Sequence, residues 1–327
     1  MSEGKRVLKK EKRHGCFFRF LLILLLVLAL LALLAFAAWK LLVREPDMAD
    51  VPAMSVPGTA EASSLPLDYA RKEQCWTFLL VGLDKVGSNT DSLILVTYDV
   101  KNQTVNMASI PRDTCVDAQR RLKKINAAYA NGGMALLTDE VTRTFGVPVD
   151  YYVKVDVQGF VALVDELGGI EFDVPCDMNY DDPAQGLSIH YRAGLQSLSG
   201  QQALEVCRFR HNNDNTGYND TGRMETQRGV LTAIAKKLLS WGSLTRVSRY
   251  LDIASEHVDT SLSATDMAWF AEKALAFDTE NLHTMMFPAA WRSPYMYLDP
   301  EATLQMVNEC LNPYTTDLTA DMLDIIP

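Results

Sequence analysis

Histidine is scarce in this chain. Five are scattered over 327 residues, none in an H-E-x-x-H pair. The six cysteines form no C-x-x-C, and no Walker-type glycine loop is present. These absences speak against a zinc centre and a P-loop nucleotide site. Internal repeats are also missing. Positive charge is short wherever the chain leaves its N-terminus: residues 1–44 carry nine Lys/Arg and two Asp/Glu, a net of +7. The whole chain is at −10, so the remainder carries −17. A domain that acidic is a poor general binder of nucleic acid.

Phe20 to Trp39 is a run of twenty residues without a charge, nearly all Leu and Ala. A helix of that length spans a hydrocarbon core about 30 Å thick. Lys5, Arg6, Lys9, Lys10, Lys12, Arg13 and Arg19 precede it, which orients the N-terminus to the cytoplasm and the rest outside. Ala35-Phe36-Ala37 resembles a cleavage site, so a signal peptide is the competing reading. The run exceeds a usual signal core, which favours an uncleaved anchor. Either way the acidic domain is exported to the extracellular side of the cell membrane.

The expected organisation is a basic cytoplasmic tail over 1–19, a transmembrane helix over 20–39 and a linker over 40–73. A main domain follows over 74–245, with a helix-rich extension of it over 246–327. Trp76–Gly82 and Ser92–Tyr98 read as buried strands, and Thr104–Ile110 as the hairpin partner of the second. Helices are expected over Met134–Phe145, ended by Gly146, and over Phe160–Leu167, closed by Gly168-Gly169. Tyr151–Val155 and Ile170–Val174 read as further strands. Ser199-Gly200-Gln201-Gln202 is a capping box opening a short helix through Val206. A long helix runs from about Arg223 to Ser240, and more helix covers Ala264–Phe277 and Glu301–Leu311. The alternation predicts an α/β class with a mixed central sheet flanked by helices, preceded by the single membrane helix. Five cysteines (Cys75, Cys115, Cys176, Cys207, Cys310) fall outside the membrane and Cys16 at its cytoplasmic edge; one or two disulfides and buried free thiols both remain open.

Against the acidic background a few arginines stand out. On the long helix, Leu231, Ile234, Ala235 and Leu238 make an apolar stripe; stepping back by turns gives Gln227 and Arg223. That end also carries free N–H groups and the positive pole of the helix dipole. A pair with Asp220 is the plainer reading of Arg223. Arg208 and Arg210, two apart, share a face if the segment is extended; a solvated pair is the alternative. Arg112 ends the hairpin strand after Pro111, beside Asp113 as a local partner. Asp84 and Asp91 flank the loop between the first two strands, where two carboxylates can hold Mg²⁺ or simply shape a turn. If these groups converge, four guanidinium forks face one anion, and arginine matches phosphate oxygens in pairs. Outside a membrane, that points to a phosphorylated lipid.

The order of several segments resembles the LytR-CpsA-Psr family of cell-wall ligases. The carrying stretches are Leu80-Val81-Gly82-Leu83-Asp84, Thr90-Asp91-Ser92, Ser109-Ile110-Pro111-Arg112-Asp113-Thr114 and Lys124-Ile125-Asn126-Ala127-Ala128-Tyr129. Gly168-Gly169-Ile170, Leu198-Ser199-Gly200-Gln201-Gln202-Ala203-Leu204, Arg208-Phe209-Arg210 and Asp220-Thr221-Gly222-Arg223 with Gln227 continue it. The resemblance implies an Mg²⁺-dependent phosphotransferase acting on a glycopolymer, a teichoic acid or capsular-type polysaccharide, linked to polyprenyl pyrophosphate. The polymer passes to a peptidoglycan hydroxyl. It also implies a hydrophobic pocket for the lipid. Asp84 and Asp91 would hold the metal. Arg112, Arg208, Arg210, Arg223 and Gln227 would bind the pyrophosphate, with Arg112, Asp91 and Asp220 as catalytic candidates and the two acids as candidate bases. A lipid pyrophosphate hydrolase and a non-enzymatic lipid-binding regulator are the alternatives. Two departures matter: Ser88-Asn89-Thr90 stands where the family often has arginine, and so does Thr226, although Arg228 follows Gln227. His211–Asn219 is a polar insertion beside the expected site, a candidate acceptor contact or an ordinary loop.

Overall fold

The computed structural model describes residues 43–47, 70–83, 90–183, 186–214, 216–217, 220–238 and 247–326, with only the backbone of 220, 221, 247 and 248. The expected membrane helix over 20–39 lies outside them; among the described residues no helix is long and apolar enough to cross a membrane. The chain separates into two units, 1–46 with 263–270, and 47–262 with 271–327. In the first, Ser263 and Asp266 cap each other at a helix start, with Asp266 N–H donating to Ser263 Oγ at 3.1 Å and Ser263 N–H to Asp266 Oδ2 at 3.0 Å.

The second unit is built on a six-stranded sheet. Its strands are β1 (Cys75–Leu83), β2 (Thr90–Asp99), β3 (Thr104–Ile110), β4 (Tyr151–Val155), β9 (Val258–Thr260) and β10 (Leu282–Met286), in the order β10-β3-β2-β1-β4-β9. β1–β2, β2–β3 and β4–β9 run antiparallel; β1–β4 and β10–β3 run parallel, so the sheet is mixed. β2 is buried from Leu93 to Tyr98 without alternation, the mark of a strand covered on both faces. Leu79, Val81, Leu93, Leu95, Ala108 and Ile110 enter one core with Leu137, Val141 and Phe145 of helix α1 (Ala127–Phe145). Gly146 caps α1 at φ 67°, and a Cβ there would lie 3.0 Å from Leu318. Leu311, Leu318 and Leu323 belong to that same core.

The C-terminal segment therefore completes the sheet and its core. Both edge strands, β9 and β10, come from residues expected to be mainly helical. They are three and five residues long, and Leu-His-Thr-Met-Met carries little strand signal. Helices are present there too: α5 (Val247–His257), α6 (Ala264–Leu275) and α7 (Pro300–Met306), the last running into a π-helical turn, Val307–Leu311.

A second apolar cluster joins α2 (Val157–Glu166), α3 (Gly200–Arg208) and α4 (Asp220–Leu238) to two small hairpins. These pair β5 (Ile170–Val174) with β8 (Gly194–Leu198) and β6 (Met178–Asp182) with β7 (Leu187–Tyr191). Ser199 forms both halves of the capping box with Gln202. At Gly200 a Cβ would sit 2.2 Å from the Val161 carbonyl oxygen, so α3 starts flush against α2.

Candidate anion site

Strand direction gathers the site. β1, β3, β4 and β10 run the same way, and antiparallel β2 begins at the edge where they end. Ligands in open α/β sheets favour the carboxyl ends of strands. Asp91, second residue of β2, and Arg112, just past β3, meet there. The Arg112 Nη1–H donates to Asp91 Oδ1 at 2.7 Å, with Arg112 32% and Asp91 53% exposed.

The Arg112 turn is braced from several sides. Thr114 donates its backbone N–H (3.0 Å) and hydroxyl (2.6 Å) to the Pro111 carbonyl. Asn126 N–H donates to the Arg112 carbonyl at 3.2 Å. Asp113 pairs with Lys124 at 3.1 Å, closer than its 4.0 Å from Arg112 Nε. Behind them Arg120 pairs with Glu140, which is 2% exposed, and donates to the Lys124 carbonyl at 2.7 Å. The hairpin of β11 (Ala289–Arg292) and β12 (Tyr295–Leu298) locks on from outside, with Met296 N–H to Asp113 O at 2.9 Å and Cys115 N–H to Met296 O at 2.8 Å. Lys124, through its side chain on Asp113, and the backbone N–H of Asn126 thus hold the segment that presents Arg112.

Helix α4 supplies the opposite wall with two faces. Thr226, Val230 and Ile234 are buried, the latter two in the second apolar cluster. Arg223, Met224, Gln227, Arg228 and Leu231, spaced by single turns, line a cavity against Asp91, Ser92, Leu93, Ile94, Ser109, Ile110 and Arg112. The expected apolar stripe is thus corrected at both ends. Leu238 is 38% exposed, and Val230, missing from it, is fully buried. Gly229 lets α4 approach β5, since a Cβ there would lie 2.8 Å from the Phe172 ring.

The cavity measures about 20 Å³. That is room for about one water molecule, not for an isoprenoid chain. Its lining carries three guanidiniums and one carboxylate, an excess of two positive charges. Arg228 Nε is buried and makes no hydrogen bond. Arg228, Met224, Ser92 and Ser109 were not among the expected site residues. Helical spacing from Arg223 and Gln227 was the signal that could have named the first two.

Arg208 and Arg210 do not line the cavity. Arg208 ends α3, two residues later than expected, and Phe209 caps the helix at φ −62°, ψ 138°. The extended Arg-x-Arg segment is therefore corrected: a helix end separates the pair, with Phe209 buried and Arg210 exposed. No breaker lies between Val206 and Arg208 to stop the helix earlier. Gln227 links this end to the cavity, donating its Nε2–H to the Cys207 carbonyl at 3.1 Å. Burial pushes the Cys207 thiol up to about 12, so it offers no thiolate nucleophile at neutral pH. The five cysteines Cys75, Cys115, Cys176, Cys207 and Cys310 are free thiols, which settles the open disulfide question for them.

Of the two expected metal ligands, Asp84 lies outside the described residues, as does the Asp220 side chain. Asp91 has one oxygen on Arg112 and stands half exposed beside the cavity. Among the described residues no three His, Cys, Asp or Glu gather as a metal cluster. Mg²⁺ does not require one, because it is commonly held by one or two carboxylates, substrate phosphates and water. Asp91 could serve as one such hard oxygen donor, next to the arginines of the cavity.

The fold is similar to that of several solved proteins. Bacillus subtilis TagV matches with a TM-score of 0.62 at 28% identity, over 78% of this chain and all of that one. Protein gbs0355 of Streptococcus agalactiae matches at 0.63 and 25% identity, over 77% and 92%. By sequence, the chain is 32% identical over 265 residues to the polyisoprenyl-teichoic acid–peptidoglycan teichoic acid transferase TagV of B. subtilis, covering 76% of this chain and 67% of that relative. It is 33% identical to the TagU transferase of Bacillus cereus, over 72% and 77%. The LytR_cpsA_psr family profile matches residues 53–313, and the chain belongs to that family.

Proposed function

We propose that this protein is a membrane-anchored, extracytoplasmic phosphotransferase. It moves a glycopolymer from polyprenyl pyrophosphate to a peptidoglycan hydroxyl. The supporting observation is the charge of the cavity: Arg112, Arg223 and Arg228 against Asp91. A diphosphate diester carries two negative charges, which the excess of two positive charges matches. The relatives named as teichoic acid transferases favour a teichoic-acid-like polymer.

In this reading the acceptor hydroxyl oxygen bonds to the sugar-bearing phosphorus. The bond from that phosphorus to the bridging oxygen breaks, and polyprenyl phosphate leaves with the electron pair. The hydroxyl proton passes to a carboxylate; Asp91 and Asp220 are the candidates. Arg112 and Arg223 hold the oxygens on which charge builds. Positioning and charge neutralisation supply most of the rate in such transfers. Arg208 and Arg210, beyond Gln227, would take the outer part of the diphosphate or the first sugar. A Mg²⁺ on Asp91, with Asp84 from the adjoining loop, would add charge neutralisation. Ile94, Ile110, Met224 and Leu231 line the cavity with apolar atoms, and a lipid chain would enter by parting α4 from the sheet.

The test is turnover. Purified full-length protein in detergent is incubated with a lipid-linked polymer donor, Mg²⁺ and peptidoglycan fragments. Polymer joined to glycan supports the proposal. Free phosphate-capped polymer would make it a hydrolase, and an unconsumed donor would make it a binding protein.

A further inference from the structure

We infer that Arg228 is a direct ligand of the substrate diphosphate, an inference that rests on the transferase reading above. Three observations on one side chain carry it. Arg228 lines the cavity together with Arg112 and Arg223. Its Nε is buried and has no hydrogen-bond partner. It directly follows Gln227, on the stripe of α4 that faces β2 and β3.

A buried guanidinium N–H left unmatched costs free energy, so a retained one needs a partner supplied from elsewhere. The structural roles usual for arginine are not filled here. Among the described residues Arg228 has no carboxylate within salt-bridge distance, unlike Arg71 with Asp150 or Arg120 with Glu140. The one carboxylate in the cavity lining, Asp91, already pairs with Arg112. Among the described residues no partner is supplied, and a phosphate oxygen of an entering anion matches the guanidinium fork.

Helical geometry assigns Arg228 its place. It lies five positions after Arg223, a rise of about 7.5 Å along α4. Two long side chains spaced this way can approach both phosphates of one diphosphate. Thr226, two positions before Arg228, is 3% exposed and does not line the cavity.

The experiment titrates the full-length protein in detergent with inorganic pyrophosphate and with geranyl pyrophosphate, read by calorimetry. Wild type, Arg228→Gln and Arg112→Ala are compared, with the thermal melting point of each unliganded protein recorded. Loss of a charge-assisted contact weakens binding by at least about tenfold. The expected result is that loss for Arg228→Gln with an unchanged or raised melting point, because a structural arginine would lower it. If Arg228→Gln does not fold, Arg228→Met, which keeps the apolar stem, takes its place. Wild-type-like affinity in the Arg228 variant, while Arg112→Ala loses binding, would overturn the inference and leave the transferase reading standing. Failure of the wild type to bind either ligand would overturn both.

Discussion

Arg112 and Asp91 form an ion pair at 2.7 Å across the edge where β2 begins and β3 ends. Both partners are substantially exposed, so the pair contributes at most about 1 kcal/mol to folding. Its position beside the cavity is out of proportion to that contribution. Under the proposed function these charges serve a ligand. Arg112→Ala is expected to lower transfer by at least about 100-fold, the scale of losing one charge-stabilising donor, with the fold intact. Chemical denaturation and turnover on the same sample check this. Joint loss of stability and activity would mean the pair is structural.

Gln227 ties the cavity to the end of α3 through the Cys207 carbonyl. Gln227→Met removes one hydrogen bond and is expected to cost about 1 kcal/mol of stability. Gln227→Glu adds a negative charge beside three guanidiniums and offsets half of the cavity's positive excess. Pyrophosphate binding should therefore weaken more in the Glu variant than in the Met variant. The reverse order, read by calorimetry, would contradict a cationic anion site.

At Gly200 there is no room for a side chain, because a Cβ would lie 2.2 Å from the Val161 carbonyl oxygen. Gly200→Ala must push α3 off α2 and is expected to cost about 1–3 kcal/mol in urea unfolding. α3 ends at Arg208, so transfer activity should fall as well.

Asp156 caps α2, accepting from Gly159 N–H at 2.7 Å, and its second oxygen lies 3.2 Å from the His257 ring. Burial works to raise the Asp156 carboxyl, but the Gly159 N–H and the His257 ring outweigh it and hold it below the ordinary range. A carboxylate depressed in the folded state stabilises above its unfolded value and loses that contribution as pH falls through the folded one. Asp156→Ala should cost about 1 kcal/mol at neutral pH. The gap to wild type should close below about pH 4. Melting curves across that range test the sign.

The same sheet edge also indicates what could be read from sequence. The hairpin that brings Asp91, at the start of β2, beside Arg112, past the end of β3, was legible from the local signals of its apolar runs and turn, whereas the pair itself was not: Asp113 was the expected partner of Arg112. The capping box at Ser199 and the glycine stop at Gly146 were legible for the same reason. Arg228 was passed over because an amphipathic helix with two buried faces gives an ambiguous stripe: Val230 and Ile234 serve one core while Leu231 serves the cavity. The edge strands β9 and β10 were hidden because their pairing is non-local. β10 joins β3 from about 175 residues away along the chain, and local propensity says little about such contacts. α3 runs two residues past Val206, with no local signal marking its end, and this changes which way Arg208 faces.

The proposed transfer requires a diphosphate seated between β2, β3 and α4, and a crystal structure with a bound polyprenyl pyrophosphate measures that most directly. The expected result is diphosphate oxygens within hydrogen-bond distance of the Arg112 and Arg223 guanidiniums, with the cavity widened between Ile94, Ile110 and Leu231. A diphosphate bound elsewhere, with Arg112 still held by Asp91 and the cavity closed, would contradict it.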